Sequence, residues 1–152
     1  MNTMYSKDNH CNYDIVIGHS QGAILTAALL SVNSKLWTDD NSPTGYIFNG
    51  VAWPNPFESY MQGLTQQVKQ HQSNNSQLPP MLFIMGKSDD INPIQSAKQV
   101  SDAFSVAGFN VAIVEHDGGH SVPYKSDDDS KRALEEVVDW IMRIAEQSKI
   151  QL

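Results

Sequence analysis

Four short runs of consecutive apolar residues recur along the chain, and each stops at a glycine or a polar turn. They are Tyr13 to Gly18, Gly45 to Gly50, Met81 to Gly86 and Asn110 to Glu115. Apolar side chains at neighbouring rather than alternate positions predict strands covered on both faces. Between these runs the spacing changes to three and four. Ser20 to Val32 is rich in Ala and Leu and reads as a buried helix. Ile94, Ala97, Ser101, Phe104 and Ala107 form a second helical stripe, closed by Gly108 as a C-cap. Leu134, Val137, Val138, Ile141, Ile144 and Ala145 form a third, and Asp127, Asp128 and Asp129 sit just before or within its first turn as a solvated helix start, where carboxylates suit the dipole. Strand and helix in alternation predict an α/β fold: a mostly parallel sheet of about four strands with helices on both faces.

Residues 51 to 80 break this rhythm. Phe57, Tyr60, Met61, Leu64 and Val68 predict a short amphipathic helix, and the polar stretch Gln66 to Gln77 predicts a mobile surface loop. No internal repeat or second-domain boundary is visible, so residues 1–152 are expected to form a single domain, large enough for a core without disulfide or metal staples.

Charge and cysteine usage narrow the function classes. Ten Lys and Arg against 17 Asp and Glu give a net charge of −7. Duplex DNA and anionic membranes both call for a basic footprint, so neither is an expected partner. No window approaches the roughly 18 to 20 apolar residues of a membrane span. The polar stretch Met1 to Asn12 lacks the apolar core of a signal peptide, and the only cysteine is Cys11. Together these predict a cytoplasmic setting.

The chemistry enters at Gly18-His19-Ser20-Gln21-Gly22, which fits G-x-S-x-G between a predicted strand and a predicted helix. A serine on a sharp strand-to-helix turn crowds its neighbours, so small residues two before and two after it make room. The turn raises Ser20 above the sheet edge, and the backbone N–H of Gln21 points at a bound carbonyl oxygen, where the helix start adds positive potential. A serine hydroxyl is a weak nucleophile and needs a base held by a carboxylate. Such folds supply them in the chain order Ser, acid, His. Asp89 and Asp90 follow the third strand, while His116 and His120 follow the fourth. Parallel strands deliver these ends to one sheet edge, where open α/β folds place their sites.

Gly-His-Ser-Gln-Gly-Ala at 18–23, Gly-x-x-Asp-x-x-x-Pro at 86–93 and His-x-Gly-Gly-His-x-Val-Pro at 116–123 resemble the FSH family of serine hydrolases, within the α/β-hydrolase superfamily. The resemblance runs from about Tyr13 to about Trp140 and implies Ser20 as nucleophile, Asp89 as acid and His120 as base. Asp90 and His116 are the competitors. The Gly118-Gly119 pair is expected to let His120 swing back toward Ser20, and His19 to be a local packing or hydrogen-bonding residue. His10, His71 and Cys11 have no motif context. The resemblance implies no metal or organic cofactor, and the partner is expected to be a small acyl ester or thioester. Trp53, Phe57, Tyr60 and Met61 would either wall an apolar cleft for the acyl group or pack a helix on the sheet.

A complete hydrolase of this class has several strands before the serine, at about 30 residues per βαβ unit. Here 17 residues precede Gly18. The chain is therefore expected to be the C-terminal half of an α/β-hydrolase fold, truncated at its N-terminus. The missing part would hold the second oxyanion N–H, whose loss costs on the order of 10²–10³ in rate. It would also leave the strand at 13–18 as a bare edge prone to self-association. The competing expectation is a non-catalytic fragment or interaction module that keeps the three residues without a complete oxyanion hole.

Overall fold

The computed structural model describes residues 15–39, 42–55, 57–71, 77–124 and 127–150. Four strands, β1 (Ile15–His19), β2 (Gly45–Asn49), β3 (Met81–Gly86) and β4 (Val111–His116), form one parallel sheet in the order β1-β2-β3-β4. The helices between them are α1 (Gln21–Val32), the short α2 (Lys35–Thr38), α3 (Glu58–His71) and α4 (Ile94–Ala107). The chain continues into α5 (Asp128–Ile150) after β4. The α/β expectation holds. Each expected strand is present within two residues at either end, although Tyr13 and Asp14 lie outside the described residues.

Why the strands read as continuous apolar runs is plain from their two faces. Tyr46, Phe48, Met81, Phe83 and Met85 point to one side and pack with Ala23, Ala27 and Leu30 of α1, Met61, Leu64 and Val68 of α3, and Val100 and Phe104 of α4. Their sequence neighbours Ile47, Leu82 and Ile84 point to the other, against Ala133, Val137, Trp140 and Ile144 of α5. Strands buried on both faces have no position left for polar side chains. Phe48 and Phe83 stack at the centre, with ring centroids 4.7 Å apart.

Gln66 to His71 is helical rather than loop, since α3 runs to His71. Its polar residues are the outward face of a helix whose inward face is Met61, Leu64 and Val68. Residues 72–76 of the predicted loop lie outside the described ones. Helix α1 carries no charged side chain, and Leu25, Leu29 and Val32 remain exposed on it, as does Ile17 of the edge strand β1, at 64%. Among the described residues no helix is long and apolar enough to cross a membrane.

Candidate active site

Three chain segments meet at the C-terminal ends of the strands. Ser20 follows β1 directly and takes a strained backbone conformation, φ 54° and ψ −121°, the one non-glycine residue among those described with positive φ. Such strain persists only where surrounding structure enforces it. Here the Ser20 N–H donates to Asn49 O at 3.0 Å, and Ser20 O accepts the first helical bond, from Ile24 N–H at 3.1 Å. Gly18 makes the turn possible, because a Cβ there would lie 2.7 Å from the Ala23 Cα. Gly22 does not share that role. Among the described residues, its own helix backbone aside, nothing lies within 4 Å of the place its Cβ would take.

The Ser20 hydroxyl makes no capping bond to α1. Instead its Oγ lies 2.7 Å from His120 Nε2, and His120 Nδ1 lies 2.8 Å from Asp89 Oδ2. The other carboxylate oxygen of Asp89 accepts the backbone N–H groups of Ile91 and Asn92, at 3.0 and 2.8 Å. Asp89 is buried while Asp90 is exposed, so of the expected pair only Asp89 reaches the histidine. Burial pushes the Asp89 carboxyl up, but the Asn92 N–H, the His120 contact and the Ile91 N–H outweigh it and hold it below its ordinary value of 3.8. The carboxylate therefore stays ionised near neutral pH and accepts Nδ1–H, which leaves the Nε2 lone pair facing the Ser20 hydroxyl.

The His120 loop is held by close backbone packing. Ser88 N–H donates to Gly118 O at 3.0 Å and Ser88 Oγ to Asp117 O at 2.9 Å, while Asp117 N–H reaches Asp129 Oδ2 at 2.7 Å. Side chains at Gly86 would run into the carbonyls of Gly118 and Gly119, and one at Gly118 would sit 2.8 Å from His116 Nδ1. Neither Gly118 nor Gly119 has positive φ. Close approach, not a positive φ, is what calls for glycine at Gly118, while a Cβ at Gly119 would meet only ordinary contact, 3.4 Å from Ser88 O. Of the acidic run, Asp127 precedes α5 and caps it, while Asp128 and Asp129 lie in its first turn. Asp127 Oδ1 accepts Ser130 N–H at 2.9 Å, and no cluster fit for a metal ion occurs among the described residues.

The remaining candidates fall away from this chain of bonds. His19 pairs with Asn49 through Nδ1 at 2.6 Å and lies against His120, ring centroids 5.2 Å apart. His71 sits in the last turn of α3, and His10 and Cys11 lie outside the described residues. Met61 is core rather than cleft wall, Trp53 packs partly buried on the same core, and Phe57 and Tyr60 stack half-exposed on each other. Gln21 opens α1 ahead of the first intrahelical donor, Ile24, so its N–H has no acceptor within the helix.

His116 is buried beneath the loop, and neither ring nitrogen has a hydrogen-bond partner among the described residues. Burial pushes its pKa below the ordinary 6.5, against the upward pull of Asp129, Asp117 and Asp89. As pH falls below 6.5 the unfolded chain takes up a proton that the folded one excludes. Stability should therefore fall toward acid, by up to about 1.36 kcal/mol per pH unit, until the depressed value is reached. His116→Phe keeps a ring in place and removes this titration. Urea midpoints between about pH 7 and pH 5 should decline less steeply in that variant, and an unchanged decline would contradict the account.

A four-stranded parallel sheet with a positive-φ serine on a strand–helix turn is the fold of the α/β hydrolases. The chain belongs to the family described as serine hydrolase (FSH1), whose model matches residues 3–132. No curated protein matches the sequence. Among solved structures, the α/β hydrolase MGS-M1 from a Medee basin deep-sea metagenome library aligns with a TM-score of 0.58 at 18% identity, covering 87% of this chain and 54% of its own. The propionate-bound esterase Est2 of Thermogutta terrifontis gives 0.56 at 17%, covering 86% and 55%. Acyl-protein thioesterase 2 of Zea mays gives 0.52 at 18%, covering 84% and 54%. At these identities the likeness is one of fold, and the chain spans about half the length of each of those proteins.

Proposed function

We propose that this domain hydrolyses carboxylic esters or thioesters through an acyl-enzyme on Ser20. The observation that carries the reading is the unbroken hydrogen-bonded chain from Ser20 Oγ through His120 to a buried, ionised Asp89. In the first half-reaction His120 Nε2 takes the hydroxyl proton as Ser20 Oγ attacks the acyl carbonyl carbon. Charge developing on the carbonyl oxygen meets the Gln21 N–H at the start of α1, a helix with no acidic side chain in its first turn to oppose it. As the tetrahedral species collapses, the alkoxide or thiolate leaves with the proton from Nε2. In the second half, His120 takes a proton from water, the resulting hydroxide attacks the ester on Ser20, and the proton returns to Oγ with release of the acid. Asp89 stays ionised throughout and stabilises the imidazolium.

An acyl substrate is supported by exposed apolar side chains close in sequence to these groups. Ile91 follows Asp89 by two residues and Val122 follows His120 by two, and both are exposed. The names of the esterase and thioesterase structures above are in keeping with the same class. During turnover of p-nitrophenyl butyrate, acid-quenched protein should carry the mass of one butyryl group, and the adduct should decay as substrate runs out. Product formation with no acylated protein at any time would overturn the covalent route.

A further inference from the structure

Strand β2 supplies no member of the Ser20–His120–Asp89 chain, yet its C-terminal end touches every segment that does. Asn49 O accepts the Ser20 N–H. The next residue, Gly50, has φ +58° and donates its N–H to Ile84 O at 3.1 Å. It lies so close to the histidine that a Cβ at Gly50 would be 3.0 Å from His120 Cε1, 3.1 Å from Nδ1 and 3.6 Å from Asp89 Oδ2. What holds this glycine is Asn92. Its side-chain Nδ2 donates to Gly50 O at 2.6 Å, and its backbone N–H donates to Asp89 Oδ1 at 2.8 Å. The acceptor is a carbonyl, so only the amide NH₂ fits that contact.

We infer that Asn92 is a positioning residue for the reaction: one side chain latches the Gly50 floor under His120 to the loop that carries Asp89. The inference rests on the reading of Ser20 as nucleophile. Its physical content is geometric. His120 must face Ser20 with one nitrogen and Asp89 with the other, and the Gly50 backbone comes close to Cε1, the ring carbon between those two nitrogens, so its position bounds where the ring can lie. Without the Asn92 donor, the left-handed Gly50 peptide is held from β3 alone, and the ring loses its fixed floor. Displacements of about 1 Å at such a site reduce rates by up to about 10²-fold. Substrate contacts are untouched, so the loss belongs in kcat.

Asn92→Leu removes the donor, and Asn92→Asp keeps the volume while offering only an acceptor near neutral pH. Both should lower kcat for p-nitrophenyl butyrate by about 10- to 100-fold with KM within about twofold. The downfield proton resonance of His120 Nδ1–H should be sharp in the unsubstituted protein and broadened or shifted in both variants. Acylation measured by quenched mass should slow by the same factor as kcat. Unchanged kcat and an unchanged resonance would overturn the inference, as would a kcat loss that disappears on cooling well below the variant's melting temperature. If the unsubstituted protein forms no acyl adduct, the reading of Ser20 fails and takes the inference with it. If the adduct forms equally fast with Asn92→Leu, the inference alone fails.

Discussion

Ser20→Ala should lower kcat on acyl esters by about 10⁶-fold, the scale reached when the nucleophile of a serine hydrolase is removed. The expectation follows from how completely the Ser20 side chain is given over to one contact. It makes no bond to the helix it precedes, and its Oγ pairs with His120 at 2.7 Å. The backbone φ of 54° is held from outside, by the Ser20 N–H bond to Asn49 O and by the space that Gly18 leaves beside Ala23. Alanine therefore inherits the turn, and melting temperature should change little while turnover is lost. A variant retaining turnover within about tenfold of the unsubstituted protein would remove Ser20 from the chemistry.

Asp89→Asn should lower kcat by about 10⁴-fold, whereas Asp90→Asn should change it by no more than a few-fold. The carboxylate of Asp89 is buried and receives N–H groups from two sides, with Ile91 and Asn92 on Oδ1 and His120 on Oδ2. An asparagine amide presents an NH₂ to one of those sides. Turned toward His120, it favours the tautomer whose proton sits on Nε2, and Ser20 then has no base. Asp90 is exposed and contacts none of these groups through the bonds that define the site. Asp89 also contributes to stability in a pH window that can be stated from its direction of shift. Its folded value lies below the ordinary 3.8, so the contribution is present above that pH and is lost as pH falls through the depressed value. Reversal of the two kcat effects would mean that Asp90, not Asp89, orients the base.

The parts of the fold legible in the sequence are those where burial leaves no choice of side chain. Met81 to Gly86 is apolar at every position because Leu82 and Ile84 face α5 while Met81, Phe83 and Met85 face α1, α3 and α4. Gly108 marks the end of α4 because its φ of 105° is closed to other residues. The candidate site residues are legible through the resemblance and through the topology, since each follows a strand of one parallel sheet. The polar tail of α3 was not legible. Gln66, Gln67, Lys69 and Gln70 form an outward face that composition alone reads as loop, and only the single apolar Val68 signals that the helix continues.

What supports the reactive residues was the least visible part. Asn49 and Gly50 make their contacts through backbone carbonyls and N–H groups, and the Asn92 side chain bonds a backbone carbonyl, so none of them carries a signature in the sequence. The Gly50 that ended an apolar run gave the signal of a strand terminus, and nothing in that signal pointed to a histidine 70 positions later. At Gly18 the close approach behind the motif is visible, since a Cβ there would meet the Ala23 backbone, whereas at Gly22 no described residue outside the helix's own backbone makes such an approach.

The central claim, that Ser20 is a nucleophile activated by His120 and Asp89, is tested most directly by covalent capture. The folded protein is treated with a fluorophosphonate, digested, and mapped by tandem mass spectrometry. The account predicts a single phosphonylated site at Ser20, absent after heat denaturation and strongly slowed in Asp89→Asn. A phosphonyl group on any other residue, or no adduct in the folded protein, would contradict it.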